Sequence, residues 1–262
     1  MTTARTTLKP PGTARAGLGV TRRRDRWWVA PGVQATLFTV CATYLFFSGI
    51  IWTPLFGTAY KVDEYLSPLF SPLIKPDWLP TWISPGLFIL WVPLGFRATC
   101  YYYRKAYYRS YFLDPPACAV GELRAGRYRG ETAFPLVLQN LHRYLFYATL
   151  LYLPFLWSDV VHATRFGGSF GIGLGTLVIL ANTTALTFYS FSCHSARHLV
   201  GGGLDCFSRT AASRACHAAW KGASVLNARH MLFAWMSFFT VCSADLYVRL
   251  VASGVIHDVR LL

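Results

Sequence analysis

Charged side chains are scarce: Asp, Glu, Lys and Arg make up 14% of the 262 residues, against 54% hydrophobic and a mean hydropathy of +0.36. So little charge excludes a chain dissolved mainly in water and places most of it in lipid. The apolar runs show no two-residue alternation, which excludes a β-barrel, and lipid then leaves helices as the only spanning elements. The seven histidines include no adjacent pair. The HxxxH spacing of His194 and His198 therefore does not build the paired boxes of a membrane di-iron desaturase. Corresponding halves with internal repeats or broken helices are also missing, which argues against a transporter.

Five apolar stretches approach the roughly 20 residues that a hydrocarbon core requires: 33–56, 86–103, 134–157, 170–191 and 223–248. They predict an all-α integral membrane bundle of five transmembrane helices within residues 33–252. A basic arm at 1–32 precedes it and a short tail at 253–262 follows. Arg15, Arg22, Arg23, Arg24 and Arg26 crowd the arm; Arg104, Lys105, Arg109, Arg124, Arg127 and Arg129 crowd the second connection; Arg197, Arg209, Arg214 and Lys221 crowd the fourth. Cations in short loops stay inside, so the N terminus is expected in the cytoplasm and the C terminus outside, in a multi-pass protein of the plasma membrane. The net charge of +14 sets this topology first. The tyrosines and cations mixed at 101–112 predict an interfacial belt and docking surface against lipid, not nucleic-acid binding.

Thiols on the cytoplasmic side stay reduced, so seven cysteines predict no disulfides. Cys41, Cys100 and Cys242 lie within or at the ends of apolar runs and read as small packing residues, and Cys118 reads as a loop residue. Residues 192–230 differ, because they gather four of the seven histidines and three of the seven cysteines. The fourth helix is expected to run on through His198 until Gly201, Gly202 and Gly203 stop it and turn Cys206 back toward Cys193. His230 is expected about two turns inside the fifth helix, and His142 reaches the same depth on the third. Ionisable groups at that depth are expensive and mark function. Two thiolates and two imidazoles are thus expected to converge, with Cys193 and Cys206 on one metal ion and His198 and His230 on the other. His194 is the first substitute, followed by His142 and the Cys216–His217 pair.

Three chemistries use such ligands: a structural zinc site, haem b on two axial imidazoles, and a Rieske-type [2Fe–2S] cluster on two cysteines and two histidines. The cysteines favour the cluster. Haem remains an alternative on two of His142, His194, His198 and His230, but the first two apolar runs contain no histidine for a distal haem. A quinone to be reduced nearby needs polar groups at the same depth, and Arg143, Tyr144, Trp220, Ser224, Asn227 and Arg229 qualify. Gly171, Gly173 and Gly175 read as packing residues for a neighbouring helix.

The segments CHSARHLVGGG at 193–203, LDCFS at 204–208, LNARHMLFAWMS at 226–237 and ADLYVRL at 244–250 resemble the membrane anchor subunit of actinobacterial succinate dehydrogenase, in its single-anchor form. The resemblance implies a complex with a flavoprotein carrying FAD and an iron–sulfur subunit with further clusters, both cytoplasmic. It also implies electron delivery from succinate to a quinone such as menaquinone, a Rieske-type cluster in the membrane part, and possible assembly into a higher oligomer.

Overall fold

Long apolar runs with few breakers wind into helices in the computed structural model, which describes residues 17–123 and 130–262. Of the cations that set the expected topology, Arg15, Arg124, Arg127 and Arg129 lie outside the described residues, as does the first half of the basic arm. Four helical segments are long and apolar enough to cross a membrane. Helix α1 (Val29–Phe56) comes first and α2 (Leu87–Ala98) is a shorter apolar helix. The Tyr- and Arg-rich α3 (Tyr101–Ser110) follows. Next come α4 (His142–His162) behind a lead-in turn at Leu136–Leu141, α5 (Leu174–Phe191), α6 (His194–Gly201), α7 (Ala211–Asn227) and α8 (His230–Ala252). The membrane bundle is built by α5 against α8 and α4, by α2 against α4, and by α1 along α8. Two short hairpins, β1–β2 (Lys61–Val62, Tyr65–Leu66) and β3–β4 (Arg165–Phe166, Ser169–Phe170), cap the far end.

Three expected helices break where the sequence suggested continuity; the fifth, expected over 223–248, is interrupted at Ala228–Arg229, so that His230 opens α8 instead of lying two turns inside a helix. The run at 86–103 splits at Thr99–Cys100: Cys100 is extended, with φ −67° and ψ 130°, and starts α3. The fourth helix does not continue to His198, because Cys193 is extended as well, with φ −64° and ψ 147°, and starts α6. At these two breaks the residue before the cysteine returns its hydroxyl to the helix it ends, Thr99 to the Gly95 carbonyl at 2.8 Å and Ser192 to the Tyr189 carbonyl at 3.1 Å. Such back-bonding competes with the next helical hydrogen bond and favours termination there. The glycines do end α6, with Gly202 and Gly203 left-handed at φ 66° and 61°, a region that costs glycine little.

The far end is held by a buried ion pair. Asp245 on α8 is fully buried and pairs with Arg249 at 3.1 Å, one turn on. Its carboxylate also accepts hydrogen bonds from Tyr44 (2.7 Å), Ser48 and Ser67 (2.5 Å). Inside α1 a π-helical segment, Phe47–Trp52, loosens the regular ladder. The Ser48 carbonyl there accepts from Arg249 Nη2 at 2.7 Å. The C-terminal residues are tied back rather than free: Leu174 N–H bonds to the Val259 carbonyl at 2.9 Å, and Leu261 N–H to the Ile172 carbonyl at 2.8 Å. Gly173 serves this closure, since a Cβ there would strike Tyr65 and Asp258, while Gly175 lets Tyr65 and Tyr247 of α8 approach closely.

Candidate metal and quinone site

Cys100, His142, Cys193 and His230 line one cavity of about 450 Å³ at the end of the bundle that carries α6 and α7. The two breaks deliver the cysteines, as the first residue before α3 and before α6, while the histidines are the first residues of α4 and α8. The contacts are crossed. His142 Nε2 lies 3.1 Å from Cys193 Sγ, and its Nδ1 lies 3.0 Å from the Thr99 hydroxyl. His230 Nε2 lies 3.5 Å from Cys100 Sγ, and its Nδ1 lies 2.7 Å from the Ser192 hydroxyl. Each imidazole therefore takes a hydroxyl from one Ser/Thr–Cys dipeptide and a thiol from the other.

That crossing bears on the tautomers. Both hydroxyl protons are already given to helix carbonyls, an arrangement that favours an Nδ1–H toward each hydroxyl oxygen and an Nε2 lone pair toward each sulfur. Burial pushes the Cys193 thiol up to about 11, so in the chain alone the protonated sulfur donates to His142 Nε2. The Cys193 sulfur also accepts from the Ser195 N–H at the start of α6, at 3.4 Å. Rings close the back of the site: Phe96 stacks on His142 at 4.8 Å and Tyr189 on His230 at 5.1 Å.

The expected ligands divide. Cys193 and His230 stand in this quartet. Cys206 is exposed, bonds only locally to Ser208 at 3.5 Å, and does not turn back toward Cys193; that hydroxyl holds its thiol below the usual range. His198 is likewise outside the cavity and meets His194, Nε2 to Nε2 at 2.9 Å. His194 lines the rim, and burial, then the charges of His198, Arg197 and Arg143, holds it below the usual imidazole range. His217 lies between Phe207 and Trp220, with Cys216 near Gly202. Among the described residues no three His, Cys, Asp or Glu side chains close around a single ion. The arrangement is two thiol–imidazole pairs sharing one cavity. Cys100 packs in the core as expected, and it also lines the quartet's cavity. Its signal was the repeated pattern of Ser or Thr before Cys at the end of an apolar run, with a histidine opening a helix 43 and 38 residues after the hydroxyl.

A second cavity of about 480 Å³ lies among α1, α2, α4, α5 and α8 and is apolar except for a few groups, Arg97, Tyr103 and Tyr189 chief among them. Phe96 and Tyr189 line it as well as backing the two imidazoles, so it adjoins the quartet. Arg97 donates to Tyr103 Oη at 2.6 Å and to Ser237 Oγ at 3.0 Å, and its guanidinium lies 4.8 Å over the Tyr189 ring. No ion pair joins it to a carboxylate among the described residues. The Tyr189 hydroxyl is buried beside the Cys100 thiol, with no N or O partner among the described residues. Of the residues expected to meet a quinone, most line neither cavity. Tyr144 is 70% exposed on the outside of α4, Arg143 and Arg229 are exposed, Trp220 packs under Arg197, and Ser224 bonds within its own helix. Only Asn227 lines the quartet's cavity, donating to the Ser192 carbonyl at 2.8 Å.

The profile of the family described as actinobacterial succinate dehydrogenase subunit SdhC matches residues 33–254. No curated protein sequence matches the chain. Among solved structures, a chain of the Mycobacterium smegmatis Sdh1 complex in the apo form is similar, with 41% identity and a TM-score of 0.80 over 92% of this chain and 94% of that one. With helices long and apolar enough for a membrane and a family match across nearly all of them, the chain belongs to the actinobacterial SdhC family and is a membrane anchor subunit of succinate dehydrogenase, a succinate:quinone oxidoreductase.

Proposed function

We propose that this subunit passes electrons from a cytoplasmic iron–sulfur subunit, itself fed by a flavoprotein, to a membrane quinone through a Rieske-type [2Fe–2S] centre held by Cys100, Cys193, His142 and His230. The crossed quartet carries this reading. Two sulfurs and two imidazoles are the donor set of such a centre, and it supplies one-electron transfer at a potential raised above that of all-cysteine clusters. The chain's own part is orientation. Thr99 and Ser192 hold the Nδ1 atoms so that both Nε2 lone pairs face inward, and Phe96 and Tyr189 keep water from the back of the rings.

The quinone headgroup fits the apolar cavity next door, with Arg97 supplying a fixed positive charge for the oxygen that gains electron density. The basic side chains beside α6 and α7 face the partner subunits and the cytoplasmic leaflet of the plasma membrane.

The test is electron spin resonance with an optical spectrum of the purified, reduced complex. A Rieske-type signal that disappears in Cys100→Ser and His142→Ala but survives in Cys206→Ala and His198→Ala supports the reading. A stoichiometric b-type haem band, or a signal indifferent to Cys100, sinks it.

A further inference from the structure

His194 and His198 belong to no part of the proposed electron path, yet they are among the most sharply arranged side chains of the molecule. They stand one turn apart on α6, both are exposed, and their rings meet nearly at right angles, 87°, with centroids 4.3 Å apart. The two Nε2 atoms are 2.9 Å from each other.

We propose that His194 and His198 form a bidentate surface site for a divalent transition-metal cation of tetragonal preference, separate from the Cys/His quartet. The distance supports this class of ion. Two imidazole nitrogens each about 2.05 Å from a shared ion, and 2.9 Å from each other, subtend an angle of about 90° at it. That is the cis angle of square-planar or octahedral coordination, which Cu²⁺ and Ni²⁺ favour. A tetrahedral ion such as Zn²⁺ asks for a separation of about 3.3 Å.

The scaffold holds the pair still. Helix α6 is capped at its start by the Cys193 sulfur and at its end by left-handed Gly202. Arg197, between the two histidines in sequence, is turned away onto Trp220, 4.5 Å from that ring, and Gly201 lets the same indole pack against the helix. The guanidinium is thereby held on the indole, although its charge and that of Arg143 still act on His194. Preorganised ligands on one helical turn lose little freedom on binding, so the second nitrogen adds its affinity nearly in full. The remaining coordination positions open to water. Because His194 also lines the rim of the quartet's cavity, an ion here sits at its mouth. The inference does not depend on which cofactor the quartet holds.

The experiment is titration of the purified, tag-free complex, first stripped of loosely bound metal by a chelator, with NiCl₂ in a calorimeter. One Ni²⁺ per copy of this chain is expected, with Zn²⁺ binding more weakly. His198→Ala should weaken Ni²⁺ binding by about a hundredfold, the loss expected when chelation falls to a single ligand. An unchanged optical and spin-resonance spectrum of the variant shows that the fold and its centres are intact. Equal Ni²⁺ affinity in wild type and His198→Ala overturns the proposal, as does absence of binding to either, which would reduce the pair to an imidazole–imidazole hydrogen bond. Tighter binding of Zn²⁺ than Ni²⁺ overturns the tetragonal assignment.

Discussion

His142 Nε2 and Cys193 Sγ lie 3.1 Å apart although 51 residues separate them in the chain. Neither could hold that position unaided. His142 is turned by Thr99 at the other helix break, and Cys193 is set by the end of α5.

Thr99→Val and Ser192→Ala each remove an oxygen that accepts from an Nδ1–H. Loss of an outer partner of this kind lowers metal affinity by about 10- to 100-fold. With the proposed centre in place, chelator challenge of the complex should bleach it faster in each variant than in the wild type, with the double variant worse than either. Equal rates would show that the hydroxyls do not set the imidazoles.

Arg97→Gln keeps hydrogen-bonding atoms near Tyr103 and Ser237 but deletes the charge beside the apolar cavity. A charge-assisted hydrogen bond to the quinone is worth about 1.5–3 kcal/mol, roughly a ten- to hundredfold rise in the quinone KM. Succinate oxidation by a soluble dye should be unaffected. An unchanged KM, together with a raised KM in Asn227→Ala, would move the headgroup to the other cavity.

Asp245→Ala leaves Arg249 charged and unpaired inside the bundle, a change that costs about 3–5 kcal/mol. Thermal unfolding of the detergent-solubilised complex should begin far earlier than in the wild type. Replacing both, Asp245→Ala with Arg249→Met, should recover much of the loss. Failure of the double variant to improve on the single would show that the pair does not act as a unit.

Glu131 accepts from Arg104, and that hydrogen bond holds its carboxyl below the usual 4.5. A depressed carboxyl stabilises the folded state above the unfolded value and ceases to do so as pH falls through the lower folded value. Glu131 is 42% exposed, so solvent screening limits the gain to less than about 1 kcal/mol. Wild type should melt slightly above Glu131→Gln at pH 7, and the two curves should merge as pH drops below 4.5. A gap that widens in acid would reverse the sign.

The membrane helices were legible because lipid demands long apolar runs, and four such runs are visible in the sequence without aid. The second was legible only as apolar, since hydropathy does not register that Thr99 returns its hydroxyl to the helix and stops it. Cys193 and His230 stood out through their depth. Cys100 did not, because a thiol at the end of an apolar run looks the same whether it packs or binds. Cys206 and His198 attracted attention through crowding in sequence, but left-handed Gly202 and Gly203 send the chain outward, and spacing cannot give the direction of a turn. Depth alone likewise selected Tyr144 and Arg143, which face away from the bundle, and passed over Arg97, whose partners come from α3 and α8.

The crossed quartet also constrains biogenesis. Its members are supplied by the ends of four separate segments, at residues 100, 142, 193 and 230, and each ring finds its hydroxyl at the helix break just upstream of it but its thiol at the other break. A nascent chain that ends before α5 owns Cys100 and His142, whose partners His230 and Cys193 have yet to be made. Any inorganic passenger must therefore board after the last helix has docked, when translation is nearly over.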